Sequence, residues 1–382
     1  MRIIVFGGWF GSRNVGDDAI LIGLKNAFSQ ASPEMDLVAL STDPKYTRMM
    51  CGVDAIPLLN PIRALSLDMH MGKMYLDAFQ NADACVVSGG TPIYDYDHLS
   101  RSLHIGLPSF LRKRIFYFGI GVRSIESALG KLLIRTLMRN SNRISTRDEP
   151  SKYELTKLGI MKPVSVTGDS ALFVKPVIDE SVTKIFEANC IDTRKPMITI
   201  FPRLLSENYR MHYHEFISIH EILKLRRNLA MFADYMLDSG YEVVFIPMHC
   251  VPSDNDLFEI NAIIRFMKRG GVKVFKGNFR SDEVLAIIDR MQLVFGLRLH
   301  SLIFAAMQGV PVLSIDYDVK LRGFMELIGA RDFLLEKTVS PQTLISKAEQ
   351  AIDSTRDLRK IFQSNCEVMK QRIMKEVEYL LQ

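Results

Sequence analysis

Short apolar runs alternate along the chain with longer stretches of helical spacing, and many of the runs end in glycine. Residues 3–6 lead into Gly7-Gly8, 84–88 into Gly89-Gly90, 115–118 into Gly119, and 291–295 into Gly296. An unbroken apolar run of this length reads as a strand buried on both faces, the pattern of parallel sheets. Between such runs, residues 19–28, 71–79, 129–138, 223–237 and 284–290 carry apolar side chains at helical spacing. Strand, helix, strand in succession makes β-α-β units, which close by right-handed crossovers into parallel sheets. The predicted fold class is α/β.

The pattern breaks once near the middle. Residues 176–195 hold proline and mixed polarity around a short helical piece and read as a linker. The chain then divides into a Rossmann-like domain at 1–175, a second at 196–340, and two C-terminal helices at 341–382 that pack back on the first domain. At 382 residues, two cores are the expectation.

The stretch 296–322, GLRLHSLIFAAMQGVPVLSIDYDVKLR, shows where chemistry gathers. It reads as strand end, helix at 299–307, strand at 311–315, polar turn and new helix. Arg298 and His300 fall at the start of the first helix, and Lys320 just beyond the next strand. Ligands of open parallel sheets bind outside the carboxyl ends of the strands, and helix starts offer N–H groups to anions. Three such side chains there describe a seat for a small, highly charged anion. The plainer alternative is that His300 caps its helix while Arg298 and Lys320 are solvated.

RLHSLIFAAMQGVPVLSIDYDVK closely resembles the C-terminal signature of the polysaccharide pyruvyl transferases, which place pyruvate ketals on cell-surface glycans. GGWFGSRNVGDDAIL is similar to that family's opening, and SGGTPIYD, GIGV and STRDEPS fit between the two. The resemblance spans residues 3–329. It implies two Rossmann-like domains facing a cleft, as in the GT-B glycosyltransferases, with phosphoenolpyruvate (PEP) as donor and no cofactor or metal. It also implies a sugar acceptor, on a lipid-linked oligosaccharide of exopolysaccharide, capsule or cell-wall biosynthesis. Arg147, at a strand's carboxyl end, would join Arg298 and Lys320 around the donor, although an ion pair with Asp148 or Glu149 is the structural alternative. One departure is visible: the family's usual third loop glycine is Thr91 here, followed by Pro92.

The remaining candidates come from position. Asn14, Gly16 and Asp17 lie on the strand–glycine loop–helix start, whose glycine spacing fits neither a dinucleotide fingerprint nor a P-loop. Asp17 and Asp18 would ordinarily cap the helix; as carboxylates they also suit sugar hydroxyls, and Asp17 is the candidate base. Gly89, Gly90 and Asp95 follow another strand, as do Arg203 and His249. His300 is the candidate proton donor, since histidine titrates near neutrality, with phosphate binding as its rival role. Residues 212, 214 and 220 are histidines, but their spacing does not stack them on one helical face, so no metal site is expected.

Composition narrows the rest. A net charge of +5 with no basic run argues against nucleic acid and suits an acidic substrate or an anionic membrane surface. Residues 107–114, apolar then Arg-Lys-Arg, suggest either peripheral membrane contact or a solvated turn. Five scattered cysteines point to a reducing, cytoplasmic setting, and no apolar run approaches the roughly 18–20 residues of a membrane span. Two rival classes keep the same architecture: a nucleotide-sugar glycosyltransferase and a non-catalytic glycan-binding relative.

Overall fold

The computed structural model describes residues 1–58, 69–95, 98–205, 218–252 and 254–382. They form two compact units, Met1–Phe173 with Met369–Gln382, and Val174–Val368.

The first unit holds a seven-stranded parallel sheet in the order β3-β2-β1-β4-β5-β6-β7. Its strands are β1 Arg2–Phe6, β2 Asp36–Ser41, β3 Asp54–Pro57, β4 Ala84–Val87, β5 Arg114–Ile120, β6 Arg143–Thr146 and β7 Val164–Val166. The central strand β4 is wholly apolar and buried, and β1 beside it is buried from Ile3 onward, because helices cover both faces of a parallel sheet. The first helix, Val15–Ala31, starts earlier than its apolar spacing indicates. Asn14 caps it by accepting the Gly16 N–H at 2.9 Å. Strand β3 is also unexpected: its short sequence, ending in proline, is an edge pairing carried by β2.

The second unit holds a six-stranded sheet ordered β12-β9-β8-β13-β14-β15. Its strands are β8 Met197–Phe201, β9 Glu242–Phe245, β12 Lys273–Val274, β13 Leu293–Gly296, β14 Val312–Ile315 and β15 Leu334–Leu335. A small antiparallel pair, β10 Cys250–Val251 and β11 Asp254–Asn255, follows β9. In both units the strand order reverses beside the first strand, between β1 and β4 and between β8 and β13. Ligands of doubly wound sheets bind at such points.

The expected linker is largely a structured part of the second unit. Helix Asp179–Ala188 buries Val182 and Phe186, and Phe186 packs edge-on against Phe275. The two C-terminal helices also divide. Pro341–Asp353 and the start of Thr355–Leu381 belong to the second unit, and residues from Met369 onward to the first. There Glu376 takes a two-pronged hydrogen bond from Arg143, at 2.8 and 3.0 Å, and another from the Ser165 hydroxyl.

Of the basic run at 112–114, Lys113 donates to the carbonyls of Gln80 and Ala82. It therefore closes the end of helix Met69–Gln80. Among the described residues no helix is long and apolar enough to cross a membrane. The histidines at 212 and 214 lie outside the described residues, as does most of the irregular stretch expected at 55–68.

Candidate functional site

Each unit gathers its polar residues at its own strand-order reversal. In the first unit the β1 and β4 loops meet there backbone to backbone. A side chain at Gly89 would begin 2.3 Å from the Gly8 Cα, and Gly89 holds φ +121°. Only glycine permits that approach in that conformation. The Asp17 carboxylate accepts the Trp9 N–H at 3.3 Å, tying the loop to the helix behind it. Asp18 turns away and accepts the Tyr46 hydroxyl at 2.9 Å. Neither aspartate caps the helix, because Asn14 does.

Arg147 enters the same corner from the end of β6, almost fully buried. Its Nε donates to Asp148 at 3.2 Å, and its Nη1 lies 3.7 Å from Asp169. Arg147 and Asp17 both come within 4.0 Å of where a Gly90 side chain would start. A side chain at Gly121 would begin 2.7 Å from the Arg147 guanidinium and 2.2 Å from the Gly90 carbonyl. The arginine therefore wedges between two loops that lack side chains. Beside it lies a mainly apolar pocket of about 200 Å³, lined by Gly7, Gly8, Trp9, Thr42, Pro92 and His104 among others. Trp9 is 56% exposed. The Tyr75 hydroxyl lies 2.6 Å from the His104 Nδ1 and fixes that ring.

Asp95 is held within its own unit. Its carboxylate accepts the Ser127 hydroxyl at 2.6 Å and the N–H groups of Glu126 and Ser127 at 3.2 Å. It sits before the N-terminus of helix Ala128–Arg139, where the backbone supplies unmatched donors and positive potential.

The second unit builds its reversal point from side chains. Helix Leu299–Gln308 begins immediately after β13, and Arg298 is its N-cap residue without capping through its side chain. The guanidinium instead reaches the loop after β9. It donates through Nε to Asp256 at 3.1 Å, through Nη1 to Asp254 at 3.1 Å, and through Nη2 to Asp254 at 2.8 Å and Asp256 at 2.5 Å. Arg298 is thus not solvated. The buried Asp256 and the half-buried Asp254 compensate its charge, and it straps the β10–β11 pair to the start of the helix.

Asp256 also accepts the N–H groups of Met248 and His249, and the His249 Nδ1 lies 3.0 Å from Asp254. Burial pushes the Asp254 carboxyl up, but the Arg298 guanidinium and the His249 hydrogen bond outweigh it and hold the group well below the usual carboxylate range, with Arg203 assisting. Burial and the Asp256 charge push the Cys250 thiol up to about 11. Tyr317 donates its hydroxyl to the Leu297 carbonyl, and burial raises it to about 12. Asp318 is fully buried, caps helix Val319–Leu327, and lies 3.4 Å from the Lys320 Nζ.

Arg203, His249, Arg298, His300 and Lys320 therefore all belong to the loops and helix starts of one reversal point. Asn14, Gly16, Asp17, Gly89, Gly90 and Arg147 belong to the other. The expected grouping of Arg147 with Arg298 and Lys320 is not one that either unit makes by itself. Sequence reasoning passed over Asp169, Tyr317 and Asp318. It treated Asp254 and Asp256 only as a helix start, although carboxylates two apart just beyond a strand were a usable signal. Among the described residues no group of three His, Cys, Asp or Glu side chains is arranged to hold a metal ion. A larger cavity of about 470 Å³ touches Pro196, Met197 and Gln292, where the strands of the second unit begin. That is the edge opposite the one where parallel sheets bind ligands.

Two doubly wound parallel-sheet units in one chain define a GT-B-type fold, and solved structures share it. UDP-GlcNAc 2-epimerase from Neisseria meningitidis, bound to UDP-GlcNAc, has TM-score 0.63 at 16% identity, covering 100% of both chains. A Rickettsia africae glycosyltransferase has TM-score 0.63 at 11%, covering 100% of this chain and 98% of that one. S. aureus MnaA with UDP has TM-score 0.60 at 13%, covering 100% and 96%. No curated protein matches the sequence. The polysaccharide pyruvyl transferase family model matches residues 14–319, and the chain belongs to that family.

Proposed function

We propose that the protein transfers pyruvate from PEP onto two hydroxyls of one sugar in a cell-surface polysaccharide precursor, forming a ketal and releasing phosphate. The observation that supports this reading is that Arg203 follows β8, His300 opens the helix after β13 and Lys320 opens the helix after β14, all beyond the carboxyl ends of neighbouring strands at the reversal of the second unit. PEP carries a carboxylate and a phosphate. Lys320, Arg203 and the N–H groups opening helix Leu299–Gln308 are donors suited to both. Arg298 shapes this seat without supplying net charge to it.

His300 protonates the enol methylene, leaving an oxocarbenium-like carbon. A sugar hydroxyl attacks that carbon, phosphate departs toward the cations, and the second hydroxyl closes the ketal. The acceptor sugar occupies the first unit, with a C–H face on Trp9 and Asp17 as base for the attacking hydroxyl. Arg147's place at the donor rests on the family resemblance alone. No step calls for a metal or an organic cofactor. The acceptor is a lipid-linked oligosaccharide in the cytoplasm, which peripheral contact with the membrane's inner face would bring within reach.

A second reading, transfer from a nucleotide sugar, is favoured by fold neighbours solved with UDP or UDP-GlcNAc. Incubation with PEP or UDP-sugars and candidate glycan precursors separates the two. The pyruvyl transferase releases phosphate from PEP and adds pyruvate to the glycan by mass, and His300→Ala loses roughly 10²–10⁴ in rate. Release of UDP, with PEP untouched, would establish the other reading.

A further inference from the structure

Resting on the pyruvyl transfer proposed above, ketal formation requires proton delivery at two places. The methylene carbon of PEP gains one proton as it becomes a methyl group. The bridging oxygen gains another as its bond to carbon breaks and hydrogen phosphate leaves. The two acceptor hydroxyls lose one proton each as two carbon–oxygen bonds form, so the count closes without an outside donor. His300 serves the carbon. The oxygen needs its own acid.

We propose that His249, held by Asp254, is that second acid, protonating the leaving phosphate oxygen. The ring is fixed twice. Its Nδ1 lies 3.0 Å from the Asp254 carboxylate, and its backbone N–H donates to Asp256 at 3.1 Å. A carboxylate at Nδ1 takes the N–H there and assigns proton transfer to Nε2, the division of labour of a histidine–carboxylate pair. Arg298 donates to both aspartates, so Asp254 stays ionised while it orients the imidazole. The charged and titratable groups acting on Asp254, which holds this ring, are Arg298, His249 and Arg203, and those acting on the neighbouring Cys250 are Asp256, Arg298 and Asp254. His249 follows β9, next to the reversal point where the proposed donor seat lies. Asp254 and Arg298 are positioning residues and His249 the catalytic one.

The test uses the full chain, with PEP and an accepted glycan, and reads kcat and KM across pH. His249→Gln should lower kcat by about 10²–10³-fold. It should leave the KM for PEP within about threefold and make the alkaline limb of the kcat profile shallower, since only one of the two acids the reaction needs, His300, is left. Asp254→Asn should keep more activity than His249→Gln and lower kcat while leaving the KM for PEP within about threefold, because the imidazole loses the partner that orients it. Melting curves identify a variant that has merely unfolded. For such a variant, His249→Asn in the full chain takes its place, with a lowered kcat at an unchanged KM for PEP expected and a wild-type rate overturning the proposal. A wild-type rate and profile in His249→Gln overturns the proposal and leaves pyruvyl transfer standing, as does a loss confined to the KM for PEP. A wild-type chain that never releases phosphate from PEP overturns both.

Discussion

The two reversal points share a strand order but are built from different materials. In the first unit the corner is backbone: Gly8 against Gly89, then Gly90 and Gly121 about one buried arginine. In the second it is side chain: Arg298 bridging Asp254 and Asp256, with His249, Tyr317 and the Asp318–Lys320 pair around it. Bare backbone lets a ligand come close and be read by N–H and carbonyl groups, which suits a polyol. Interlocked charges give a fixed field that repositions little when an anion arrives. The same topology thus serves two ligand chemistries, and the difference lies in what fills the strand ends.

The largest effect should come from breaking the side-chain corner. Arg298→Met leaves Asp254 and the fully buried Asp256 without their cation, and breaking a buried pair costs roughly 3–5 kcal/mol. The second unit should lose that much in denaturant titrations at neutral pH, and transferase activity should vanish with it. The acid dependence carries a sign. Asp254 is held below its unfolded value, so its contribution is present above about pH 4 and disappears as pH falls through the folded value. The gap between wild type and Arg298→Met should therefore narrow on the acid side. A gap that widens there would mean the carboxylate is not stabilised by the arginine.

The backbone corner breaks differently. Gly121→Ala places a methyl group 2.2 Å from the Gly90 carbonyl and 2.7 Å from the Arg147 guanidinium. Overpacking of that kind costs roughly 1–3 kcal/mol. The displaced arginine should reduce activity far more than the modest fall in melting temperature implies. If activity is retained, Arg147 is not where the chemistry needs it.

Much of this architecture was legible in the sequence, because apolar runs closing in glycine are what a buried parallel strand needs. The reversal points were legible for the same reason, since cations and glycines clustered just past those runs. The charge partners were not. Arg298 and Asp254 lie 44 residues apart, and no periodicity announces a bond across a crossover. Arg298 therefore reads from sequence as one of several available cations, although in the fold it is a strap. The partners of Asp95 were hidden for a related reason: a loop carboxylate and a helix-start carboxylate look alike until the helix Ala128–Arg139 is placed beside it. The short strands β3, β10, β11 and β15, of two to four residues, carry too little pattern to register.

Asp95 gives the next test. Asp95→Asn should cost about 0.5–2 kcal/mol, the usual range for a lost helix-start carboxylate or cap, with the KM for the acceptor unchanged. A raised acceptor KM at constant stability would put Asp95 in the sugar site and add a side chain to the backbone corner.

The smallest effect bears most directly on which corner takes the polyol. Trp9 is the sole tryptophan of the chain and lines the 200 Å³ pocket beside Asp17. That volume lies below the roughly 300–1,000 Å³ of a drug-sized ligand site, so it admits a single ring, and the exposed indole offers that ring a flat apolar face. Stacking of this kind is worth about 0.5–1.5 kcal/mol, so Trp9→Leu should raise the acceptor KM about two- to tenfold and leave the KM for PEP unchanged. The same residue reports binding without turnover: adding acceptor glycan to the wild-type chain should change tryptophan emission, and adding PEP alone should not. An emission change with PEP alone would place the anion at the backbone corner, and the contrast between the two corners would then be wrong.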